Sequence, residues 1–212
     1  MAEGRILVTG SSGHLGEALV RTLRAQGREV LGLDVLDSPF TTHVGSVTDH
    51  ALVKDSMRGV GTVLHTATLH KPHLATHDRE AFLETNVIGT TVLLEAAVTA
   101  DVDRFVFTST TSAFGRALVP FSGSPTAWIS EDVAPIPKNI YGVTKTAAED
   151  VCELVARDQG LPVVILRTSR FFAEADDDSE LTSTFADENI KANEYLYRRV
   201  DIEDVVTAHL LA

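Results

Sequence analysis

A single cysteine, Cys152, in 212 residues leaves no partner for an intrachain disulfide, which removes the small disulfide-stapled scaffolds from consideration. Basic residues are scarce. Lys and Arg number 18 against 30 Asp and Glu, a formal net charge of −12, and that balance opposes nonspecific binding to nucleic acid or anionic membrane surfaces. No signal-peptide pattern opens the chain and no apolar run has the length of a membrane span. Neither an internal repeat nor a low-complexity linker divides it. The expectation is a soluble, cytoplasmic, single-domain protein that takes a small molecule, with no nucleic-acid or membrane partner. Cys152 falls within a helical pattern and reads as a small buried apolar side chain rather than a nucleophile.

What the chain does have is a rhythm. Residues 5–9 form a short apolar run, and residues 17–26 carry helical apolar spacing through Ala18, Leu19, Val20 and Leu23. Further strands are expected at 29–34, 62–67, 104–109 and 162–167, separated by helices near 50–59, 80–100 and 141–159. Near-continuous apolar strands alternating with helices predict an α/β fold, a doubly wound, Rossmann-like parallel sheet with helices on both faces.

Between the first strand and first helix the chain reads Thr9-Gly10-Ser11-Ser12-Gly13-His14-Leu15-Gly16. Gly10 suits a tight turn, Gly13 lets backbone approach a pyrophosphate, and Gly16 lets helix and strand pack closely. The free amides at the helix start favour negative charge. The second strand ends in Asp34, 18 residues past Gly16, near the spacing at which an acid meets the adenine-side ribose hydroxyls and repels a 2′-phosphate. No Arg or Lys follows Asp34 until Lys54. The expected cofactor is NAD in preference to NADP.

Tyr141 and Lys145 lie four residues apart, on one face of the predicted 141–159 helix. A phenol is a weak base at neutral pH, and a neighbouring ammonium is expected to lower its pKa toward the working range. The plain alternative is a packed tyrosine and a lysine that reaches solvent.

With the glycine turn and the Tyr141-x-x-x-Lys145 pair together, the chain resembles the extended short-chain dehydrogenase/reductase family, the NAD-dependent epimerase/dehydratase group. The resemblance runs from Arg5 to Val206. It is carried also by His65-Thr66-Ala67, Asn86-Val87-Ile88-Gly89-Thr90, Thr108 to Gly115, Leu166-Arg167 and Val200 to Val205. It implies catalysis by Thr110, Tyr141 and Lys145, with Ser109 and Thr111 as alternative hydroxyls. Tyr141 would take a hydroxyl proton while hydride leaves the same carbon for the nicotinamide. Cofactor contacts are implied for Gly10, Ser12, Gly13, His14, Leu15, Gly16, Asp34, Ser46, Val47, His65, Thr66, Ala67, Asn86, Thr108, Tyr141 and Lys145. Substrate contacts are implied for His70, Lys71, Thr110, Thr111 and Arg170. A homodimer through the 80–100 and 141–159 helices is a further implication.

Departures from the family pattern narrow the chemistry. Thr111 and Ser112 stand where sugar-nucleotide dehydratases carry an Asp-Glu pair, which disfavours dehydration. Phe114 replaces the usual Tyr, and Ser46 stands where an Asp often meets the adenine; Asp49 is expected to cap the next helix. The expected substrate is a secondary alcohol of a sugar or sugar nucleotide. A small sugar acid or carbonyl compound is the competitor, and a non-catalytic nucleotide sensor is the alternative outside enzymology.

The expected organisation is a cofactor domain over 1–169, a short substrate-binding segment over 170–199, and a return to the core over 200–212. The middle segment holds an acidic loop at 173–178, a predicted helix at 185–194, and the candidate cations Lys191, Arg198 and Arg199. The last stretch, 201–212, reads as a helix start after which the sequence stops, matching either a shortened chain or a small substrate cap. His65, His70, His73 and His77 crowd one stretch, but Pro72 interrupts them and no metal is expected.

Overall fold

A computed structural model describes residues 4–119, 121–171 and 199–212. The predicted α/β class holds. Six strands form one wholly parallel sheet: β1 (Arg5–Thr9), β2 (Val30–Asp34), β3 (His43–Val44), β4 (Val60–His65), β5 (Arg104–Thr110) and β6 (Val163–Thr168). Their spatial order is β3-β2-β1-β4-β5-β6, with parallel registers throughout, such as Val8↔Leu64 and Leu64↔Val106. The chain therefore winds outward from β1 and restarts at β4 on its other side. That reversal leaves a crevice at the carboxyl ends of β1 and β4, where ligands of this architecture bind.

The helices follow the predicted stretches: α1 (His14–Ala25), α2 (His50–Ser56), α3 (Arg79–Leu83), α4 (Gly89–Thr99), α5 (Ile140–Gln159) and α6 (Ile202–Leu211). A π-helical turn, Glu84–Ile88, joins α3 to α4. By length and composition, Arg79–Thr99 would pass for a membrane-crossing helix. Here it packs into the fold, burying Phe82, Leu93, Leu94 and Ala97. Asp49 caps α2 as expected, its Oδ1 accepting from the Ala51 and Leu52 amides at 2.9 and 3.1 Å.

Alternation along the strands divides the core. Leu7, Leu33, Val63, Phe105 and Phe107 face α2, α4 and α5, meeting Val53, Met57, Leu93 and Cys152. Ile6, Val8, Leu64 and Val106 face α1 and α6, meeting Leu19, Leu23, Val205 and Val206. Both faces being covered explains the near-continuous apolar strands. Each fully buried Leu or Phe contributes about 1.5–3 kcal/mol by leaving water.

Two boundaries differ from expectation. Strand β4 begins at Val60 and ends at His65, because Thr66 and Ala67 turn out of the sheet to pack on the glycine turn. The edge strand β3 was not anticipated. The acidic loop, the 185–194 helix, Lys191 and Arg198 lie outside the described residues. On either side of that stretch, Arg170 pairs with Arg199 in a parallel bridge, and the Val200 amide donates to the Arg170 carbonyl at 3.0 Å.

Candidate active site

The glycine turn is shaped by sterics. Gly10 has φ +70°, and a Cβ there would lie 2.7 Å from the Ala67 nitrogen. A Cβ on Gly16 would overlap the Gly10 carbonyl oxygen, so helix and strand approach as predicted. At Gly13, by contrast, a Cβ would meet only the Gly10 oxygen, at 3.3 Å. Gly13 is also the N-cap of α1 and has no side-chain cap to offer the first-turn amides. An open, uncapped helix start suits a pyrophosphate. Here His14 contributes an exposed ring, stacked near Phe171, whereas Leu15 is buried and offers backbone alone.

Asp34 holds the turn from the side. Its Oδ2 accepts from the Ser12 amide and its Oδ1 from the Leu36 amide, both at 2.9 Å. A carboxylate has about four acceptor sites, so two remain for ribose hydroxyls. The Ser12 hydroxyl is spent locally, on Ser38 and Thr41 at 2.8 Å each. The nearby cations are engaged on the outer side of the 35–41 loop. Arg24 donates to the Pro39 carbonyl at 2.9 Å, and Arg21 pairs with Glu17 and lies over the Phe40 ring. These residues fit NAD, since Arg21 and Arg24, the cations described against this loop, are both engaged elsewhere.

Several residues expected to touch cofactor also hold the walls of the site. His65 is fully buried and both ring nitrogens are engaged, at 2.7 Å with Thr9 Oγ1 and 2.9 Å with Thr90 Oγ1. Thr90 donates to the Asn86 carbonyl at 2.7 Å, so His65 Nε2–H donates to Thr90 and Nδ1 accepts from Thr9. Burial, then the Lys145 charge, keeps this imidazole well below its usual pKa, hence neutral. Asn86 is likewise saturated. Its Oδ1 accepts from the Leu69 amide at 2.8 Å, and its Nδ2 donates to the Leu69 carbonyl at 2.9 Å and to Thr144 Oγ1 at 3.0 Å. The Thr108 hydroxyl meets His209 Nε2 at 2.8 Å, on the α6 face of the sheet. Ser46 bonds Thr48, and the Val47 side chain enters the core. Thr66 Oγ1 donates to the Thr9 carbonyl at 2.7 Å, closing β4 onto the turn.

At the carboxyl end of β5 stands Thr110. Its Oγ1 accepts from the Ser112 amide at 3.1 Å, which leaves its proton free to be offered toward the Tyr141 phenol, whose pKa it draws down. Asn139 caps α5 through the Gly142 amide at 3.0 Å and fixes where Tyr141 emerges. Lys145 follows one turn later, buried, its Nζ 3.9 Å from the Phe107 ring centroid. The expectation that the ammonium lowers the phenol is corrected. Burial raises the Tyr141 pKa, and the Thr110 hydrogen bond is what pulls it down. Lys145 itself is brought down to about 7 by burial, with Cys152 and Glu149 acting against the fall. Cys152 is buried as expected, its thiol pushed up to about 12.

The turn Lys71–Ala75 carries His70 and His73 beside the site. The His70 amide donates to His73 Nδ1 at 3.0 Å, and burial brings His70 down to about 4. Lys71 is exposed. Among the described residues, no group of three or more His, Cys, Asp or Glu is placed to hold a metal.

The model of the NAD dependent epimerase/dehydratase family matches residues 6–212. The chain belongs to that family. Among curated relatives of this epimerase/dehydratase chain, it is 32% identical over 175 residues to a UDP-glucose 4-epimerase of Halalkalibacterium halodurans, covering 76% of this chain and 49% of the relative. It is 30% identical over 183 residues to a 3-beta-hydroxysteroid dehydrogenase of Mycolicibacterium neoaurum, covering 82% and 49%. Among solved structures, a short-chain dehydrogenase/reductase superfamily protein of Agrobacterium tumefaciens with bound NAD superimposes with TM-score 0.73 at 31% identity, covering 98% of this chain and 61% of that one. The epimerase/dehydratase chain spans about half the length of these curated relatives. NAD is its cofactor.

Side chains that sequence reasoning did not single out also build the site. Phe107 floors Lys145, Thr144 ties α5 to Asn86, and Glu149 lies one turn beyond Lys145, bonded by Ser109, which the resemblance offered only as an alternative hydroxyl. Glu149 alone had a legible signal, since 141, 145 and 149 share one helix face.

Proposed function

We propose that the chain is an NAD-dependent oxidoreductase or isomerase acting on a secondary alcohol of a sugar or sugar nucleotide. The observation that carries this reading is the convergence of Thr110, at the carboxyl end of β5, with Tyr141 and, one helical turn on along α5, a buried Lys145. When bound, NAD supplies a two-electron hydride acceptor and donor. Thr110 orients the substrate oxygen, and Tyr141 accepts its proton. Lys145, at about 7, is poised to exchange a proton near neutrality beside that phenol. Thr111 and Ser112 follow Thr110 and carry no carboxyl group, so no acid stands there to expel water.

Tyr141→Phe is expected to keep NAD affinity and to lose turnover by at least about 100-fold, measured by calorimetry and a steady-state assay over a panel of nucleotide sugars and hydroxysteroids. Turnover equal to the parent's would remove Tyr141 from the mechanism. A second reading, net oxidation or reduction of a free alcohol or carbonyl, draws on the identity to the 3-beta-hydroxysteroid dehydrogenase. Denaturing the purified protein and weighing any released nucleotide separates the two. Near-stoichiometric NAD supports an epimerase that restores its cofactor each cycle, and a nucleotide-free protein supports a dehydrogenase. Assembly as a homodimer belongs to the same proposal, since α3, the π-helical turn and α5 expose Leu83, Ile88, Val143 and Leu154.

A further inference from the structure

Behind the candidate catalytic pair lies a buried ionic cluster. Glu149 is one turn beyond Lys145 and two beyond Tyr141 on α5, and its side chain is 3% exposed. Its Oε1 accepts from Ser109 Oγ, a very short contact, and from Arg167 Nε at 3.1 Å. Its Oε2 accepts from Arg167 Nε at 3.1 Å and Nη2 at 2.8 Å. The Arg167 guanidinium lies 4.9 Å from the Phe114 ring centroid, over the turn that follows Thr110. One carboxylate thus joins α5, β5, β6 and that turn. Ser109 has the strand parity of Phe107, which floors Lys145.

From this geometry we infer that Glu149, clamped by Ser109 and Arg167, is a positioning residue that sets the charge and placement of Lys145. The inference rests on the proposed chemistry of Tyr141 and Lys145, but the geometry stands apart from any substrate. A purely structural ion pair needs no lysine beside it, and buried pairs are often replaceable by apolar groups without loss of stability. Here the buried carboxylate stands one helical turn from a buried ammonium on the same face of α5. The groups around Lys145 are the neutral His65 from β4, Phe107 from β5, and Tyr141, Cys152 and Glu149 from α5, with Arg167 of β6 acting through Glu149. Glu149 works to keep Lys145 protonated against its burial.

Lysine-specific 13C labelling yields five side-chain signals, from Lys54, Lys71, Lys138, Lys145 and Lys191, with Lys145 assigned through Lys145→Arg. Glu149→Gln is expected to lower the Lys145 titration midpoint by about one pH unit or more, because an anion is lost while the Arg167 cation stays. Arg167→Gln is expected to raise it, because Glu149 is then unopposed. General loosening of the fold would not move the two variants in opposite directions. Midpoints equal to the parent's in both folded variants, or shifts of the same sign, would overturn the inference. Should either single variant fail to fold, the Glu149→Gln, Arg167→Met double variant leaves no orphan buried charge. There a smaller fall is expected, and an unchanged midpoint refutes the role. Failure of the catalytic reading appears elsewhere, as full turnover in Tyr141→Phe, and leaves this titration intact.

Discussion

One methyl group distinguishes two glycines three residues apart. At Gly16 a Cβ would collide with the Gly10 carbonyl, whereas at Gly13 it would reach into the open end of the turn with φ at −79°. Gly16→Ala is expected to cost at least about 2 kcal/mol of stability through overpacking. Gly13→Ala is expected to fold within about 0.5 kcal/mol of the parent and to bind NAD at least tenfold more weakly. Urea denaturation and NAD titration of the two variants read these effects separately. A Gly13→Ala protein that binds NAD like the parent would place the pyrophosphate elsewhere. The same scale governs Tyr141 and Lys145, whose ionisation is set by burial against one hydroxyl and one carboxylate.

At the scale of elements, the walls of the site are held by buried side chains that bond backbone across the fold. Asn86 is the clearest, joining the segment after β4 to α5 from within the π-helical turn. Asn86→Ala leaves the Leu69 amide and the Thr144 hydroxyl short of a partner, and a loss of about 2–3 kcal/mol is expected in chemical denaturation. The long elements were legible in the sequence because each carries its own period: alternating burial in β1 and β5, apolar spacing in α1, a cap at Asp49. The two-residue β3 carries none and exists only because β2 offers an edge. The glycine turn and Asp34 were readable from spacing, whereas Tyr141 and Lys145 stood out only once the resemblance was added to their helical spacing. The bracing bonds of His65, Asn86 and Thr108 were not readable, since each is made with a partner 25 to 101 residues away, Thr90, Thr144 and His209. A linear pattern carries no trace of such long-range partners.

For the whole molecule, four histidines share one sign. Burial lowers the pKa of His65, His70, His73 and His209 below the ordinary 6.5. The unfolded chain therefore binds more protons than the fold as pH falls below about 6.5, and stability drops with it. The slope is up to about 1.4 kcal/mol per pH unit for each histidine held neutral. Denaturation at pH 7 and at lower values toward 5 is expected to show the loss. His65→Asn, whatever its stability at pH 7, is expected to flatten the slope by about one proton's share. An undiminished slope would mean that His65 is protonated within the fold. Finally, the backbone bridge between Arg170 and Arg199 has a consequence for chain length. The two ends of the intervening sequence are thereby held at neighbouring points, and closing a longer connection between them costs only a slowly growing entropy. A change in the length of that stretch is therefore expected to leave the register of β1, β2 and β4 intact.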